Sequence, residues 1–322
     1  MDCWLIRVRR ILFSHALILM LCAGTNGSAS LLAQSGKKIL LPGIETELAR
    51  KQIAIDLGDT SQTLTPLIRK AFSLHGGFRL SHPNESQYSI DFSAKGGNQV
   101  GITIRSGNSK DVVKALATGG DSIDDALLHG CDKVVNLLLK TPGFFAGKIS
   151  YLSNLSGYKE IFVSNSLMTT SRPNTSFKKI TFNASWGNKG QGIFFTSNRQ
   201  LFNNIFYLDL SSRKIRTIAN YRGSNLSAVQ NPRDSQLALI LSTTGNPEVW
   251  IAPTPSAKPK RLTKNKSNES GPCWSSDGRR LIVTSDSRGK PQLYEVSLST
   301  GSLTRIATNV SSHCTEASWN PR

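Results

Sequence analysis

The chain has 322 residues and carries 39 lysines and arginines against 21 aspartates and glutamates, which gives a formal net charge of +18. This length predicts about two domains, and so basic a chain is expected to be attracted to anionic surfaces. Its five cysteines form no CxxC pair. A disulfide-rich scaffold and a zinc site with the usual ligand spacing are therefore excluded.

The first 34 residues have the pattern of an export signal. Three arginines precede the apolar stretch Ile11–Ala23, which is too short to span a bilayer. Cleavage after Ala29 or Ala33 is predicted, and a retained signal anchor is the alternative. Because the leader holds three arginines and one aspartate, the mature chain keeps a net charge of +16. No later stretch is apolar enough to cross a membrane, so we expect an exported, soluble protein without stable membrane insertion.

Residues 35–143 are predicted to form a small α/β domain, because two amphipathic helical patterns alternate with short strand patterns. The first helix stops before Gly76 and Gly77, and the second has Ser122 as its N-cap with Asp125 at the capping-box position. A hairpin loop is predicted at 96–98. The predicted elements in chain order are the strands Lys37–Leu41 and Gln52–Asp56, the helix Ser61–Leu74, the strand Phe78–Leu80, strands around Tyr88–Phe92 and Val100–Ile104, and the helix Ser122–Lys140.

Residues 144–322 are built from repeats of about 44 residues, because two series of positions recur in step. Each repeat combines four short strand patterns with turns rich in Gly, Pro and Asn, which is typical of a β-propeller blade. The tryptophan series is expected to pack each sheet onto its neighbour. The two series are Phe162, Phe206, Trp250 and Tyr294, and Trp186, Gln230, Trp274 and Trp319.

The two ends of the repeat region predict how the propeller closes. The first repeat starts at Gly147 with its second strand and lacks the tryptophan-bearing one, whereas Thr315–Arg322 has that missing pattern. We therefore predict four blades closed by Ala317–Asn320 beside Gly147–Ser153, which leaves no open sheet edge. The predicted fold class is mainly β, with a small N-terminal α/β domain followed by a C-terminal β-propeller.

The export signal, the small α/β domain and these repeats together resemble the TolB family, the periplasmic component of the Tol–Pal system. The most similar repeat, 272–294, contains the letters PCWSSDG and GKPQLY. The segments GKISY at 147–151 and ASWNP at 317–321 are similar to the family as well. The family usually has six blades, whereas this chain has residues for four, and its second repeat replaces WSPDG by Gln230–Asp234.

The resemblance implies a non-enzymatic scaffold in the periplasm. Its implied partners are a Pal-like peptidoglycan-associated lipoprotein, received at the mouth of the propeller, and a TolA-like inner-membrane protein, contacted by the mature N-terminus. The implied role is to keep the outer membrane attached and to draw it inward at division. An exported address removes nucleic acid as a partner. The alternative is an exported propeller that binds anionic cell-envelope polymer, or the remnant of a propeller-peptidase.

The residues carry no recognisable pattern of catalysis. The motifs G-x-S-x-G, P-loop and H-E-x-x-H are absent, so no nucleophile or phosphate cradle is indicated. His75, His82, His129 and His313 lack acids or cysteines at ligand spacing. We therefore predict no catalytic, cofactor-binding or metal-binding residues, and no cofactor.

Other polar residues have structural interpretations. Asp234 and Asp277 follow strand patterns and are interpreted as turn formers. The basic run 258–261 is interpreted as a set of charges that protects an outermost strand from pairing with another sheet. The cysteines of the mature chain are interpreted as buried or half-buried thiols, while a Cys273–Cys314 disulfide stays open as the second possibility.

Overall fold

A computed structural model describes residues 52–319. The predicted leader and the strand predicted at Lys37–Leu41 lie outside these residues. The described part of the chain forms two compact units. The first, which we call the α/β unit, holds residues 52–149 with Ser164–Ser171. The second, which we call the blade unit, holds Ser150–Val163 with residues 172–319.

The α/β unit contains a five-stranded sheet and two helices that share one apolar core. Its elements are β1 (Ile53–Asp56), α1 (Thr65–Ser73), β2 (Phe78–Leu80), β3 (Tyr88–Ala94), β4 (Gln99–Ser106), β5 (Val112–Gly119) and α2 (Ile123–Leu139), with a 3₁₀ turn at Pro83–Glu85. The strand order is β2-β1-β3-β4-β5. β1 is parallel to both β2 and β3, and the remaining pairs are antiparallel. Alternating residues of β3 and β4 face the helices, as the sequence pattern predicts.

Both predicted helices are present, with small changes at their ends. The first begins at Thr65 rather than Ser61, because Leu64 N–H donates to Ser61 O in a turn that precedes it. The second is capped as predicted, since Ser122 Oγ accepts a hydrogen bond from Asp125 N–H at 3.2 Å. β5 was not predicted from the sequence.

The blade unit contains four small sheets that follow one another along the chain. The first is β6 (Lys148–Ser153), β7 (Glu160–Asn165) and β8 (Ser171–Pro173), and the second is β9 (Thr181–Trp186), β10 (Gly192–Gln200), β11 (Phe202–Asp209) and β12 (Ile215–Ala219). The third is β13 (Asn225–Gln230), β14 (Leu237–Leu241), β15 (Glu248–Ala252) and β16 (Lys260–Arg261), and the fourth is β17 (Glu269–Trp274), β18 (Leu281–Ser285), β19 (Gln292–Val296) and β20 (Leu303–Arg305). Strands are neighbours in chain order within every sheet. The first strands of the second, third and fourth sheets, β9, β13 and β17, begin 44 residues apart, as the repeat predicts. The strands β6, β7 and β8 of the first sheet correspond to the second, third and fourth strands of the other sheets.

Apolar side chains pack each sheet against the next, as expected for propeller blades. Ile161 of the first sheet is buried with Ile193 of the second. Phe194 of the second sheet shares a core with Leu239 of the third. Trp274 of the fourth sheet packs against residues of the third, and its Nε1–H donates to a β13 carbonyl at 3.1 Å. The predicted role of this tryptophan in joining neighbouring sheets is confirmed.

Residues 314–319 lie against the fourth sheet, where the first strand of a further blade would lie. Cys314 N–H donates to Pro291 O at 3.0 Å. One repeat earlier, Glu269 N–H makes the equivalent bond to Pro247 O at 2.8 Å. The side chain of Cys314 is buried against the second and third strands of the fourth sheet. The segment therefore continues the repeat on that side.

The predicted pairing of Ala317–Asn320 with Gly147–Ser153 is not among the strand pairs of residues 52–319. The first sheet contains three strands in this part of the chain, and residues 306–319 form no strand. Residue 320 lies outside the described residues. The left-handed backbone of Glu316 (φ 52°) interrupts the extended run at this point.

The turn and thiol predictions are confirmed. Asp277 Oδ1 accepts hydrogen bonds from Ser275 Oγ and from a backbone N–H of its own turn. Asp234 Oδ1 likewise accepts a backbone N–H two residues on, at 2.7 Å. No disulfide joins Cys273, which is half-buried, to Cys314, which is buried.

Candidate interaction surface of the blade unit

One side of the blade unit collects two kinds of connection. In each antiparallel sheet, the turn from the second to the third strand and the crossing to the next sheet leave from the same strand ends. We call this side the crossing side. Its turns are 154–159, 242–247 and 286–291, together with the tip 198–203 of the β10–β11 hairpin, where the ends of these two strands are irregular. Its crossings are 174–180, 220–224, 262–268 and 306–313. The remaining turns form the opposite side.

Hydrogen bonds between neighbouring sheets connect equivalent segments on both sides of the blade unit. On the opposite side, Asn188 Nδ2 donates to Asn231 O at 2.8 Å, and Asn231 Nδ2 donates to Gly278 O at 2.9 Å. These bonds connect corresponding turns of the second, third and fourth sheets. On the crossing side, Asn225 Nδ2 donates to Asn203 O at 3.2 Å. Equivalent connections of successive sheets therefore lie next to one another.

A layer of buried polar side chains lies beneath the crossing side. Glu160 accepts hydrogen bonds from Thr175 Oγ1 at 2.5 Å and from Lys178 N–H at 2.9 Å, both in the crossing that follows. Buried polar groups need such partners, so these bonds fix the course of the crossing. One position of the repeat, 44 residues apart from sheet to sheet and buried in every sheet, belongs to this layer near the start of each third strand: Glu160, Asn204, Glu248 and Gln292.

Glu248 is the most completely paired member of the layer. The guanidinium of Arg261 meets both of its carboxylate oxygens at 2.6 Å. Thr244 Oγ1 and Asn265 N–H supply two more hydrogen bonds. Arg261 lies on the outermost strand β16, where the sequence predicts a protective charge, and here it also neutralises a buried acid. Such a bidentate pair is stronger than an exposed ion pair.

Glu269 is another buried acid, and it is the first residue of β17, directly after the third crossing. Its carboxylate accepts hydrogen bonds from Thr263, Asn265 and Ser285 at 2.9, 3.1 and 3.2 Å. Burial raises the pKa of Glu269 above its ordinary value, and these hydrogen bonds oppose the rise only in part. Nearby Glu248 raises it further. Protonation of Glu269 is therefore coupled to the folding of the blade unit.

The second-to-third turn has one left-handed backbone position in every sheet. Glycine fills it in three sheets, as Gly157 (φ 86°), Gly245 (φ 119°) and Gly289 (φ 87°). In the second sheet the same position, 44 residues from its neighbours, is Leu201 (φ 81°). A side chain costs roughly 1–2 kcal/mol in this conformation. The Leu201 side chain is 82% exposed, so packing does not offset that cost.

The charges of the crossing side are mostly positive. Its turns and crossings carry nine lysines and arginines but only one aspartate, Asp286. All nine cations are exposed. They are Lys159, Lys178, Lys179, Arg199, Arg222, Lys264, Lys266, Arg288 and Lys290. This side therefore has a large excess of positive charge, which favours an anionic partner.

The α/β unit has a cleft of about 590 Å³ at the carboxyl end of β1. Burial works to raise the pKa of Asp56 there, but hydrogen bonds from Ser86, Gly58 and Ser89 outweigh it and hold the pKa below its ordinary value. Asp91 pairs with Arg105 at 3.0 Å. The lining carries three acids and three cations, so the cleft has no net preference for an anion or a cation. Its charged lining residues are Asp56, Asp59, Asp91, Arg69, Arg105 and Lys110.

The described histidines have structural partners or lie in loops. His75 stacks on Phe144 with 5.8 Å between ring centroids, and burial lowers its pKa. His82 caps the 3₁₀ turn, His129 pairs with an acid one helical turn away, and His313 lies in the last crossing. Within residues 52–319, no group of three or more His, Cys, Asp or Glu side chains could hold a metal ion. None of the helices described here has the length and apolar character needed to cross a membrane.

The buried acids and the left-handed leucine were not predicted from the sequence. Both follow the 44-residue period of the aromatic series. Aligning the repeats on that series would place Leu201 in a column of glycines and Glu248 in a column of polar residues. An alignment of the repeats with one another would therefore have identified Leu201 and Glu248 as unusual positions.

Residues 135–322 match the family described as the TolB β-propeller domain. The match covers more than half of the chain and includes all four sheets. The chain belongs to the TolB β-propeller family. This finding confirms the family resemblance and the predicted fold class, and it places the repeats described above in TolB-type blades.

Curated relatives of the chain carry TolB names. The Tol-Pal system protein TolB of Desulfosudis oleivorans is 27% identical over 135 residues, which are 42% of this chain and 31% of that protein. The TolB homolog of Chlorobium chlorochromatii is 23% identical over 280 residues, which are 84% of this chain and 61% of that protein. The chain thus spans between about a third and three fifths of the length of these TolB proteins.

A solved structure shows the same fold. The crystal structure of TolB from Acinetobacter baumannii superposes with a TM-score of 0.72 at 17% sequence identity. The superposition covers 84% of this chain and 75% of that protein. At this identity the likeness to TolB concerns the fold.

Proposed function

We propose that this TolB-like chain is a protein-interaction scaffold of the Tol–Pal envelope system, without chemistry of its own. The observation that carries the proposal is the family match over residues 135–322, which coincides with the four sheets. Relatives named Tol-Pal system protein TolB support the same system. The proposed location is the periplasm, and the proposed role is to support outer-membrane integrity and invagination during division.

The proposed partners are a Pal-like peptidoglycan-associated lipoprotein and a TolA-like inner-membrane protein. We assign the Pal-like contact to the first strands β9, β13 and β17, because each is an edge strand of its own sheet and β13 lies against both β9 and β17. Ser227 and Ser270 lie on two of these strands and present small side chains. The TolA-like contact is assigned to the mature N-terminus, outside the described residues.

Calorimetric titration of the full chain with the purified soluble domain of each partner tests the proposal. Binding at micromolar concentration or tighter is expected for at least one of them. Two arginines on the first strands, Ser227→Arg with Ser270→Arg, are expected to weaken the Pal-like contact by at least about tenfold, because bulky charges at the centre of an interface cost several kcal/mol.

The matched control adds the same charge to third-to-fourth turns, as Ser256→Arg with Ser299→Arg. Its affinity is expected to stay within about twofold of the unmodified chain. If neither partner binds at micromolar concentration, the scaffold proposal fails. If both double variants lose affinity equally, the contact does not lie on the first strands.

A further inference from the structure

The hairpin of β10 and β11 presents two apolar side chains at its tip. Regular pairing ends at Ser197 with Asn204, and after a register shift Gln200 pairs with Phe202 across the single residue Leu201. Leu201 is 82% exposed and Phe202 67%. In the other sheets, the equivalent positions form open turns with glycine at the left-handed position. The second sheet therefore holds a strained leucine in solvent, and strain of this kind is often retained where a side chain has a function.

Several cations lie on the same side of the blade unit as this tip. Arg199 precedes it, with its guanidinium 4.3 Å from the ring centroid of Phe177. Lys178 and Lys179 lie in the crossing that enters the second sheet, and Arg222 lies in the crossing that leaves it. Ile180, Leu155 and Tyr158, which belong to neighbouring crossing-side segments, are also about half exposed or more. The crossing side thus combines exposed cations with exposed apolar side chains.

We propose that the crossing side binds an anionic lipid surface, with Leu201 and Phe202 entering the headgroup region and the surrounding lysines and arginines contacting lipid phosphates. Apolar side chains gain free energy on leaving water at a bilayer interface, and cations near an anionic leaflet add attraction. This inference is independent of the proposed contact with a Pal-like or TolA-like partner, which uses the first strands.

The shape of the tip favours lipid over other anionic partners. An anionic polymer would be held by the cations alone and would leave Leu201 and Phe202 in water. A protein partner would need a pocket shaped to receive a protruding hairpin. A bilayer interface accepts protruding apolar side chains without a shaped pocket. The joint presence of charge and an apolar tip therefore identifies the occupant.

Co-sedimentation of the full chain with vesicles tests the proposal. Binding is expected to vesicles of phosphatidylglycerol with phosphatidylethanolamine, and not to vesicles of phosphatidylcholine. Raising the salt from about 0.1 M to about 1 M is expected to weaken binding strongly, because screening shortens the range of the attraction. Absence of binding to the anionic vesicles at the lower salt overturns the proposal.

Leu201→Gly separates the proposed role from folding. It restores the glycine that the other turns use, so the variant is expected to be no less stable than the unmodified chain in urea, yet to bind anionic vesicles about tenfold more weakly. Met168→Gly is the matched control, because Met168 is 50% exposed with a positive φ of 55° and lies in the segment Ser164–Ser171, outside the crossing side. Its vesicle binding is expected to be unchanged.

A pair of charge variants tests the cationic part. Lys179→Glu with Arg222→Glu is expected to weaken vesicle binding by at least about tenfold. Arg213→Glu with Lys214→Glu makes the same change in net charge in a turn of the opposite side, and is expected to reduce binding much less.

Three further results would each overturn the lipid proposal. The first is vesicle binding that is indifferent to Leu201→Gly, which would leave only a charge-driven attachment to any anionic polymer. The second is an equal loss in both charge variants. The third is tip-dependent binding to isolated cell wall without binding to vesicles. If the unmodified chain does not bind anionic vesicles but does bind the Pal-like partner, this inference is refuted and the scaffold proposal stays in place.

Discussion

Glu269 links the stability of the blade unit to pH. Burial raises its pKa above the ordinary value of 4.5, and hydrogen bonds from Asn265, Thr263 and Ser285 act in the opposite direction without cancelling the rise. An acid with a raised pKa binds its proton more readily in the folded chain than in the unfolded chain. Its contribution to stability therefore grows as the pH falls toward 4.5 and is lost as the pH rises through the folded pKa.

Glu269→Gln is expected to remove this dependence. The free energy of unfolding in urea is measured for both chains, and the value for the variant is subtracted from that for the unmodified chain. This difference is expected to increase as the pH is lowered from about 7 to about 4. Glu295→Gln is the matched control with the opposite sign. A hydrogen bond from Arg280 lowers the pKa of Glu295, so its contribution is present above pH 4.5 and is lost below that value. A difference for Glu269→Gln that does not change with pH would contradict the prediction.

Some residue roles could be predicted from the sequence and others could not. Asp277 follows a strand and precedes glycine, and this local pattern alone identifies a turn former. Glu269 also begins a strand, where an acid ordinarily lies in water. Its burial depends on Thr263 and Asn265 of the preceding crossing, whose course no local pattern fixes. Local chemistry was therefore predictable and burial by a distant loop was not.

At the scale of elements, Asp132 attaches helix α2 to the chain that follows it. Its carboxylate oxygens accept hydrogen bonds from Phe145 N–H at 2.6 Å and Ala146 N–H at 3.0 Å. The backbone passes so close that a Cβ at Gly143 would stand 2.4 Å from Asp132 Oδ1. A glycine is therefore required where the chain leaves the helix.

Asp132→Ala is expected to lower the free energy of unfolding of the α/β unit by about 1–3 kcal/mol, because two partly buried N–H groups lose their acceptor. Urea unfolding followed by circular dichroism measures the change. Lys133→Ala, the exposed neighbour on the same helix, is expected to stay within about 0.5 kcal/mol. Equal losses in the two variants would show that the carboxylate does not anchor the segment.

The prediction of elements failed for β5. The two helices and the β3–β4 hairpin have strong periodicity, since one face of each is buried in the core. β5 is an edge strand, and Val112 and Val113 are more than half exposed. Its residues therefore do not alternate between apolar and polar types. β5 is a strand because it pairs with β4. A strand that depends on its neighbour in this way cannot be predicted from its own residues alone.

At the scale of the whole molecule, the repeat was the strongest signal. First strands begin at Thr181, Asn225 and Glu269, so a side chain at one position of the period has the same register in every sheet. That regularity predicts the number of sheets and the order of their strands. It does not predict the pairing of the last segment, because the left-handed backbone at Glu316 interrupts the strand there.

The contacts of residues 314–319 with the fourth sheet make a last prediction about the whole blade unit. Cys314 is 7% exposed and lies with Ile282 and Leu293. Burial of an unpaired carboxylate at this position is unfavourable, so Cys314→Asp is expected to lower the free energy of unfolding by at least about 2 kcal/mol. Urea unfolding, with hydrogen exchange of the β18 amides, measures the effect.

Ser312→Asp is the matched control, because Ser312 is exposed and lies two residues earlier, in the last crossing. It is expected to change stability by no more than about 0.5 kcal/mol. If residues 314–319 only rest loosely on the fourth sheet, the two aspartates will have equally small effects and exchange of the β18 amides will not change. If the segment takes the place of a first strand, only Cys314→Asp will accelerate that exchange, because losing the segment uncovers a face of β18 that the equivalent strand β14 keeps covered by β17.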